Sequence, residues 1–343
     1  MGNEKATIYD VAKKARVSPG TVSRYINGVG ECRADAKDRI EKAIQDLHYV
    51  PSRSARALKS KKNNLICLAY PESDNPFFFK LVSTVEECVR KAGYELMIYH
   101  THGKIKEELR ILALTKEGIM DGLFMINFNY TPEHFKAFKQ TNCALVLSSL
   151  CVSPYGGRKE DAFDYVGIDV KNALCMSTTS LLEFGHKRIA YVGGDRSICV
   201  FSERFEGYCA ALEKKGIPIE DRYCFFGNYD QQAGYEAGVQ IAQMKDRPTA
   251  VCTVSDVMAI GVMMAFKDYS VRIPEDIALI GLDDISLDCA FTPQLSSVMM
   301  RQEDIGRCAV SMLLSRIQGD TADPKKIIYQ PKLVLRESST FKI

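Results

Sequence analysis

The segment from residue 18 to residue 27 combines small polar side chains with one arginine. Its chemically capable members are Ser18, Thr21, Ser23, Arg24 and Asn27, with Pro19 and Gly20 between the first two. Hydroxyl, amide and guanidinium groups match the donors and acceptors that base edges present in the DNA major groove. The segment therefore predicts a surface that reads double-stranded DNA. The alternative is a helical hairpin that belongs to a larger core.

Two short helices joined by a tight turn must position these side chains. Thr7 followed three residues later by Asp10 fits a capping box at the start of the first helix. Ser18 is a good N-cap for the second helix, and Pro19 suits its first position. This is the arrangement of a helix-turn-helix, whose second helix enters the major groove. A third helix over about 33–47 is predicted to close a small all-α domain over residues 1–50.

The charge of the chain is unevenly distributed. Residues 1–62 hold 14 Lys and Arg against 7 Asp and Glu, a net charge of +7, and the remainder carries −5. A basic head on a mildly acidic body indicates that the head meets a polyanion.

From residue 64 onward, short apolar runs alternate with amphipathic helical patterns, as in 65–70, 122–127 and 277–281. This alternation predicts a parallel α/β fold, and about nine such units predict two Rossmann-like lobes in series. Ligands of such sheets bind at the carboxyl ends of the strands. The loops at those ends include polar and aromatic residues that suit a small polar ligand, above all a sugar: Asn75, Phe77, Ser148, Ser255, Asp256 and Asp283.

Other chemistries find little support in the sequence. Asp283 and Asp284 are adjacent at a strand end, so they are expected to point apart, with Asp283 as a ligand acceptor and Asp284 as a structural residue. The pair Gly193-Gly194 lacks a complete dinucleotide or Walker motif. The 12 cysteines form no C-x-x-C pair and no zinc spacing. We therefore expect no enzyme activity, no cofactor and no metal. Without a signal peptide or a membrane-length apolar run, we expect a cytoplasmic protein with no membrane partner.

The segment TIYDVAKKARVSPGTVSRYING (7–28) closely resembles the opening of the lactose/galactose-repressor family of bacterial transcription regulators. SDNPFF (73–78), FGHKRIAYVGG (184–194) and RIPEDIALIGLDD (272–284) extend the resemblance along the chain. It implies an all-α helix-turn-helix head and an α/β body of two lobes of the periplasmic-binding-protein type. The implied domains are 1–50, a hinge over 51–62 and an effector-binding and dimerisation domain over 63–343. The first lobe is expected over about 63–164 and 293–322, and the second over about 165–292 and 323–343.

The resemblance also implies roles for individual residues. In the basic stretch 51–62 it implies a hinge helix on the operator, in which Leu58 wedges into the minor groove. A solvated tether is the alternative for that stretch. The implied DNA contacts are Thr7, Ser18, Pro19, Gly20, Thr21, Ser23, Arg24, Asn27, Arg53, Ala55, Arg56 and Leu58. The implied effector contacts, with Ser148 added by the strand-end rule, are Asn75, Phe77, Asp169, Arg204, Tyr229, Ser255, Asp256 and Asp283.

Three features qualify the resemblance. A cation at the start of a helix opposes the helix dipole, so Arg204 is expected to face a ligand or a carboxylate. Ser255 and Met300 stand where sugar-responsive members often carry Asn and Gln, which removes amides from the expected pocket. Pro19 and Gly20 cannot hydrogen-bond a base edge, so base reading is expected to depend on Thr21 and its polar neighbours.

These observations predict a ligand-controlled transcription regulator that binds a near-palindromic operator as a homodimer. Repression is the favoured mode of action. A small sugar-like effector would bind between the lobes. The alternatives are a small-molecule-binding protein or an enzyme on the same body. An enzyme would need a nucleophile–base pair or a dinucleotide fingerprint, and the sequence shows neither.

Overall fold

The structure is a computed structural model that describes residues 6–26, 32–50, 63–71, 75–149 and 162–340. It contains two compact units, one within Met1–Asn63 and the other within Asn64–Ile343. We call them the head and the body and describe each by itself.

Three helices form the head: α1 (Ile8–Ala15), α2 (Pro19–Ile26) and α3 (Ala34–Asp46). Each helix contributes an apolar face to one small core, whose buried members are Val11, Ala12, Ala15, Val22, Ile40 and Ala43. Burial of this shared face stabilises helices that are too short to persist alone in water. The three predicted helices of the head are thus observed, with boundaries close to those expected.

The body alternates strands and helices along the chain. Its strands are β1 (Leu65–Tyr70), β2 (Glu95–His100), β3 (Gly122–Ile126), β4 (Ala144–Ser148), β5 (Asp164–Ile168), β6 (Ile189–Gly193), β7 (Cys224–Phe226), β8 (Ala250–Thr253), β9 (Ala278–Asp283), β10 (Ser296–Met299), β11 (Lys326–Tyr329) and β12 (Lys332–Val334). Its α-helices are α4 (Phe77–Lys91), α5 (Ile105–Lys116), α6 (Pro132–Phe138), α7 (Val170–Glu183), α8 (Cys199–Lys214), α9 (Gln231–Gln243), α10 (Asp256–Asp268) and α11 (Gln302–Ile317).

The strands form two six-stranded sheets, one in each lobe of the body. The first has the order β11-β5-β4-β3-β1-β2, and the second has the order β12-β10-β9-β8-β6-β7. All neighbouring strands run parallel except β12, which runs antiparallel to β10. The expected two α/β lobes are therefore present, and the carboxyl ends of their parallel strands provide the loops that bind ligands in such folds.

The chain passes between the two sheets three times. It leaves the first sheet after Ile168, returns after Met299 and leaves again after Tyr329. Helix α11 packs on α4, β3, β4 and β5, and thus belongs to the first lobe. These three neighbouring crossings form the connection about which the lobes can change their relative angle.

The expected lobe boundaries need correction at each crossing. Residues 165–168 belong to β5 in the first sheet rather than to the second lobe, and β11 also lies in the first sheet. Strand β10, expected in the first lobe, lies in the second sheet. For β5 the cause is that an apolar run predicts a strand without specifying which sheet it will join. Strands β10 and β11 are only four residues long and were not predicted as strands.

Among the helices that the structure describes, none combines the length and apolar character needed to cross a membrane.

Candidate functional site

The first helix of the head begins with the predicted capping box. The Thr7 hydroxyl accepts a hydrogen bond from the Asp10 backbone N–H at 3.4 Å, and the Asp10 carboxylate accepts one from the Thr7 N–H at 2.8 Å. The Thr7 hydroxyl also donates to the Asp10 carboxylate at 2.7 Å. This bond and the one from the Thr7 N–H lower the pKa of Asp10, because a carboxylate that accepts hydrogen bonds is favoured in its charged form. Thr7 thus fixes the beginning of α1.

The second helix of the head begins at Pro19, as predicted, and Ser18 precedes it as a cap. The Ser18 hydroxyl accepts from the Thr21 N–H at 3.1 Å and lies 2.9 Å from the Thr21 hydroxyl. Val22 is buried, while Pro19, Gly20 and Arg24 are exposed. The helix therefore presents a small, polar and basic surface to solvent.

Contacts from α3 hold the two preceding helices. The Arg39 guanidinium donates to the Ala15 carbonyl at 3.0 Å, at the end of α1. The Tyr25 hydroxyl of α2 donates a short hydrogen bond to Glu41, which raises the pKa of Tyr25 to about 12. The exposed face of α2 is thus supported from behind by specific bonds as well as by the apolar core.

The remaining expected DNA contacts cannot be placed. Asn27 and the hinge residues Arg53, Ala55, Arg56 and Leu58 lie outside the described residues. Ser23 is half-buried on α2.

In the body, Arg204 is the best defined of the expected effector contacts. It lies in α8 and is only 2% exposed. Its Nη1 donates to the Tyr229 hydroxyl at 3.1 Å and to the Val254 carbonyl at 2.9 Å. Among the described residues, its Nε has no hydrogen-bond partner. Arg204 is therefore a buried cation with one unused donor.

The charge of Arg204 is maintained by its neighbours. Burial alone would lower the pKa of its guanidinium, but Tyr229 and the Asp283 carboxylate outweigh burial, and the pKa is raised. Arg204, Tyr229 and Asp283 thus form one electrostatically connected group. The expectation that Arg204 faces a carboxylate or a ligand agrees with this environment.

Two phenylalanines that sequence reasoning missed complete this group. Phe201 lies one turn before Arg204, with its ring centroid 4.8 Å from that of Tyr229. Phe128, which follows β3 in the first lobe, lies 6.0 Å from Phe201 and 6.2 Å from Tyr229. Phe128 follows a predicted strand closely, so the strand-end rule could have identified it. Phe201 was missed because helix α8 was expected to begin at Arg204 rather than at Cys199.

Asp283 and Asp284 diverge, as expected for neighbours at a strand end. Both residues have positive φ, 130° and 55°, which is a strained backbone region for side chains other than glycine. The Asp284 carboxylate pairs with Arg336 at 2.6 Å, in agreement with a structural role. The Asp283 side chain is buried near Arg204, while its carbonyl accepts from Gln302 at 2.5 Å.

Ser255 and Asp256 have structural roles rather than the expected free pocket surface. The Ser255 hydroxyl caps α10 through the Met258 N–H at 3.2 Å. The Asp256 carboxylate accepts from the Ser297 hydroxyl at 2.7 Å and from the Ile285 N–H at 3.1 Å. Both side chains are fully buried, and these contacts join α10 to the strand ends beside it.

A second carboxyl group meets Asp256 inside the lobe. Asp288 is fully buried beside Asp256, its carboxylate oxygens have no hydrogen-bond partner among the described residues, and the Arg336 guanidinium lies 3.8 Å away. Burial and mutual repulsion raise the pKa of Asp288, and burial also raises that of Asp256. Both shifts favour the protonated form, so we expect this pair to hold a proton and to have a structural role.

The expected contacts from the first lobe and the crossing are buried or engaged in local bonds. Asn75 accepts from the Phe77 N–H at 2.9 Å, and the Phe77 ring packs against Phe78. The Ser148 hydroxyl is buried at the end of β4 and has no hydrogen-bond partner among the described residues. Asp169 caps α7 through the Asn172 N–H at 2.9 Å, at the first crossing between the lobes.

A surface groove of about 930 Å³ lies elsewhere on the second lobe. Residues of β6, β7 and α9 line it, and Arg204, Tyr229 and Asp283 are not among them. We base the candidate site on the Arg204 group, because buried charge and converging polar groups are stronger indications of ligand chemistry than open volume. Within the described residues, no group of three or more His, Cys, Asp or Glu side chains could hold a metal ion.

Comparison with known proteins identifies this combination of head and body. Residues 7–52 match the family of bacterial regulatory proteins named for lacI, and residues 178–339 match the periplasmic binding protein-like domain. The HTH-type transcriptional repressor PurR of Yersinia pestis (strain Pestoides F) is 32% identical over 334 residues, which cover 97% of this chain and 96% of PurR. The chain belongs to the LacI family.

Solved structures of LacI-family regulators share the whole fold. A complex of the transcriptional regulator CelR with cellobiose is 26% identical, with a TM-score of 0.73 over 97% of this chain and 99% of the other. A lac repressor dimer bound to operator and an anti-inducer is 22% identical, with a TM-score of 0.84 over 98% and 99%. This LacI-family protein is a ligand-responsive, DNA-binding transcription regulator rather than an enzyme.

Proposed function

We propose that this LacI-family protein is a repressor that binds a near-palindromic operator as a homodimer and responds to a small, sugar-like effector. The observation that carries the DNA-binding part is the capped helix α2, which exposes Gly20 and Arg24 on a rigid, basic head. Two such heads in a symmetric dimer would meet two half-sites, because protein symmetry is mirrored in the operator. Its DNA target makes the cytoplasm the expected location.

We assign the recognition of DNA bases to the exposed side of α2. Arg24 offers a guanidinium that can pair with a guanine, and Ser23 and Asn27 supply further polar groups. The Thr21 hydroxyl already bonds to the Ser18 hydroxyl, so Thr21 would contact a base while it also takes part in the helix cap. Pro19 and Gly20 can add only van der Waals contacts to the bases. DNA shape would therefore contribute a larger share of the sequence specificity.

The effector site is assigned to the Arg204 group between the lobes. Arg204 and Asp283 supply a buried cation and a carboxylate, and Phe201 and Tyr229 supply aromatic faces. This set suits a ring ligand that carries hydroxyl or carbonyl groups. The polar groups of Asn75 and Ser148 are the candidates in the first lobe, and Asp169 stands at the crossing.

Exposed apolar side chains on both lobes support the homodimer. Phe79 on α4 is 62% exposed and Ile98 on the edge strand β2 is 51% exposed in the first lobe. In the second lobe, Met264 on α10 and Tyr269 just after it are also exposed. Apolar groups of this size in contact with solvent favour burial against a second copy.

The proposed switch between DNA-bound and DNA-free protein follows from thermodynamic linkage between effector binding and operator binding. An effector that prefers one angle between the lobes shifts the body toward that angle, and the shift reaches DNA through the hinge 51–62. By reciprocity, the operator then changes effector affinity by the same factor. The effector must bind the two states unequally, or nothing switches.

A truncation tests whether the head binds the operator and the body binds the effector. A fragment that lacks residues 1–62 should lose operator binding completely and should keep the effector, as measured by gel shift and by thermal shift. The DNA for the gel shift is first selected from a random pool with the full chain, and sugars, sugar phosphates and nucleobases are screened for the thermal shift, since ligands of the native state raise the melting temperature. Retained operator binding by the fragment would refute the proposal.

A further inference from the structure

Phe128 makes a contact that crosses the cleft between the lobes. It follows β3 of the first sheet, and its half-buried ring packs on the core of the body. Its partners Phe201 and Tyr229 belong to the second lobe, at centroid distances of 6.0 and 6.2 Å and interplanar angles of 49° and 72°. These tilted and edge-on geometries are those that aromatic pairs prefer.

The surface that Phe128 touches is the aromatic platform of the Arg204 group, formed by Phe201 and Tyr229. Their rings lie 4.8 Å apart, and the Arg204 guanidinium carbon lies 5.6 and 5.5 Å from their centroids. The platform thus consists of two apolar rings tilted by 35° to each other, with a cation over them. Phe128 places a phenyl ring on that platform, next to a guanidinium whose Nε has no hydrogen-bond partner among the described residues.

We propose that Phe128 is an internal occupant of the effector cleft, which bridges the lobes and competes with the effector for the Phe201–Tyr229 platform. A ligand that enters must take the place of a phenyl ring. It therefore needs a flat ring with an apolar face, and a hydrogen-bond acceptor toward the Nε of Arg204. This inference rests on the proposed function of the cleft, and it makes Phe128 a residue that determines effector specificity.

The competition between Phe128 and the effector should change effector affinity by a measurable factor. Aromatic pairs contribute enough stability that their loss corresponds to about a 2- to 13-fold change in an equilibrium constant. Removal of the Phe128 contact should therefore shift the equilibrium between the bridged and the open cleft toward the open form by a factor of that order. The same factor should appear as tighter binding of a ring ligand, because the protein no longer has to displace its own side chain.

The test uses Phe128→Ala in the full chain and follows backbone amide exchange. Both ends of the bridge should exchange faster, residues 127–131 in the first lobe and residues 227–230 in the second. Phe163→Ala is the matched control, because Phe163 packs on Phe135 and Phe138 within the first lobe. The control should accelerate exchange around its own neighbours and leave 227–230 unchanged.

Chemical rescue supplies the second arm. Phe128→Ala uncovers the apolar ring surface on which the half-buried Phe128 ring packs, and we expect benzene to bind that surface. Millimolar benzene should slow exchange at both 127–131 and 227–230 in Phe128→Ala, and leave both segments unchanged in the original protein. Benzoate, whose carboxylate can accept from Arg204, should rescue at lower concentration than benzene.

Exchange that changes only at 127–131 would overturn the bridge, and so would the absence of rescue by either probe. If Phe128→Ala does not fold, Phe128→Leu retains apolar volume without a ring and should show the same two-lobe pattern to a smaller extent. Failure of the proposed function looks different: operator binding would be absent, or unresponsive to every effector, while the two-lobe exchange pattern and the rescue remain.

Discussion

At the scale of single residues, Arg204 combines burial, charge and an unused donor. Arg204→Lys retains the charge but removes the Nε donor, and its shorter side chain draws back the donor that Nη1 offers to Tyr229 and Val254. We expect it to weaken binding of the effector found in the thermal-shift screen by about tenfold or more, since a hydrogen bond to a charged group contributes about 1.5–3 kcal/mol. Operator binding without effector should be unchanged.

The matched control for Arg204→Lys is Arg222→Lys, an exposed arginine of the same lobe that pairs with Glu220 and Asp246. It should leave the effector titration unchanged. Equal titrations for Arg204→Lys and the original protein would place Arg204 outside the effector site.

The buried pair Asp256 and Asp288 predicts how stability depends on pH. Their pKa values are raised in the folded state, so the native protein holds a proton that the unfolded chain releases above about pH 4. Their contribution is therefore complete below that pH and is lost as the pH rises through the raised values. Asp288→Asn mimics the protonated form, so the variant should gain stability relative to the original protein as the pH rises from 5 to 8. The slope should approach about 1.4 kcal/mol per pH unit for one proton.

Urea unfolding at pH 5, 6.5 and 8 measures this difference. Asp276→Asn is the control with the opposite sign, because Arg272 lowers the pKa of Asp276 to about 2. Asp276 is ionised throughout this range, so its replacement should change stability by the same amount at each pH. A constant difference for Asp288→Asn as well would show that the pair holds no proton.

At the scale of elements, local signals predicted most helices and few of the short strands. Helices α9 and α10 begin at the expected residues, because Asp230 and Ser255 are caps that can be read from the sequence. Strands β7, β10, β11 and β12 are three or four residues long and show too little alternation to be recognised.

The candidate site was predictable where position along the chain determines it. Asp283 follows from its place at a strand end, Arg204 and Tyr229 follow from the family resemblance, and the structure brings the three together. Asp256 satisfies the same rule, yet its carboxylate points inward, where a Cβ atom on Gly281 would lie only 2.1 Å from it. Such close packing between distant segments leaves no periodic signal in the sequence.

The cap of helix α2 is a testable element of the DNA-binding surface. Ser18→Ala removes the acceptor for the Thr21 N–H, a change that costs about 1 kcal/mol in typical helices. We expect roughly fivefold faster amide exchange over 19–26 in the full chain without DNA. The control Asp230→Ala removes a comparable cap at α9 in the body, where the Asp230 carboxylate accepts from the Ala233 N–H at 2.8 Å, and should affect only 231–243. Unchanged exchange over 19–26 would mean that packing alone fixes the helix.

The hinge gives a second prediction at this scale, on residues outside those that the structure describes. Leu58→Ala should weaken operator binding at least tenfold if the leucine wedges between base pairs, because the bent DNA would lose its support. Sedimentation of the free protein should be unchanged. Leu335→Ala, which trims an exposed leucine of the body, is the control. Equal gel-shift titrations for the two variants would favour a solvated tether over a wedge.

At the scale of the whole molecule, the proposed function requires two heads that act together. Linking two DNA-binding modules raises overall affinity by roughly 10² to 10⁴ without any new contact, provided that both half-sites are within reach. A single head with a short helix α2 would bind weakly at physiological salt, where phosphate contacts are screened. If the exposed apolar side chains of the body join two copies, as we propose, their loss should weaken DNA binding indirectly.

Ile98→Asp tests that dependence. Ile98 is exposed on β2, the edge strand of the first sheet, and a charge there would prevent an apolar contact with a second copy. We expect sedimentation velocity to show a monomer, and operator affinity to fall about 100-fold or more with the thermal stability of the monomer retained. Leu335→Asp places the same charge on a similarly exposed leucine of the second lobe and should leave the dimer intact. If Ile98→Asp stays dimeric, the interface lies on another face, and Met264→Asp then tests the second lobe. If it becomes monomeric with undiminished operator affinity, one head suffices and the two-half-site mechanism fails.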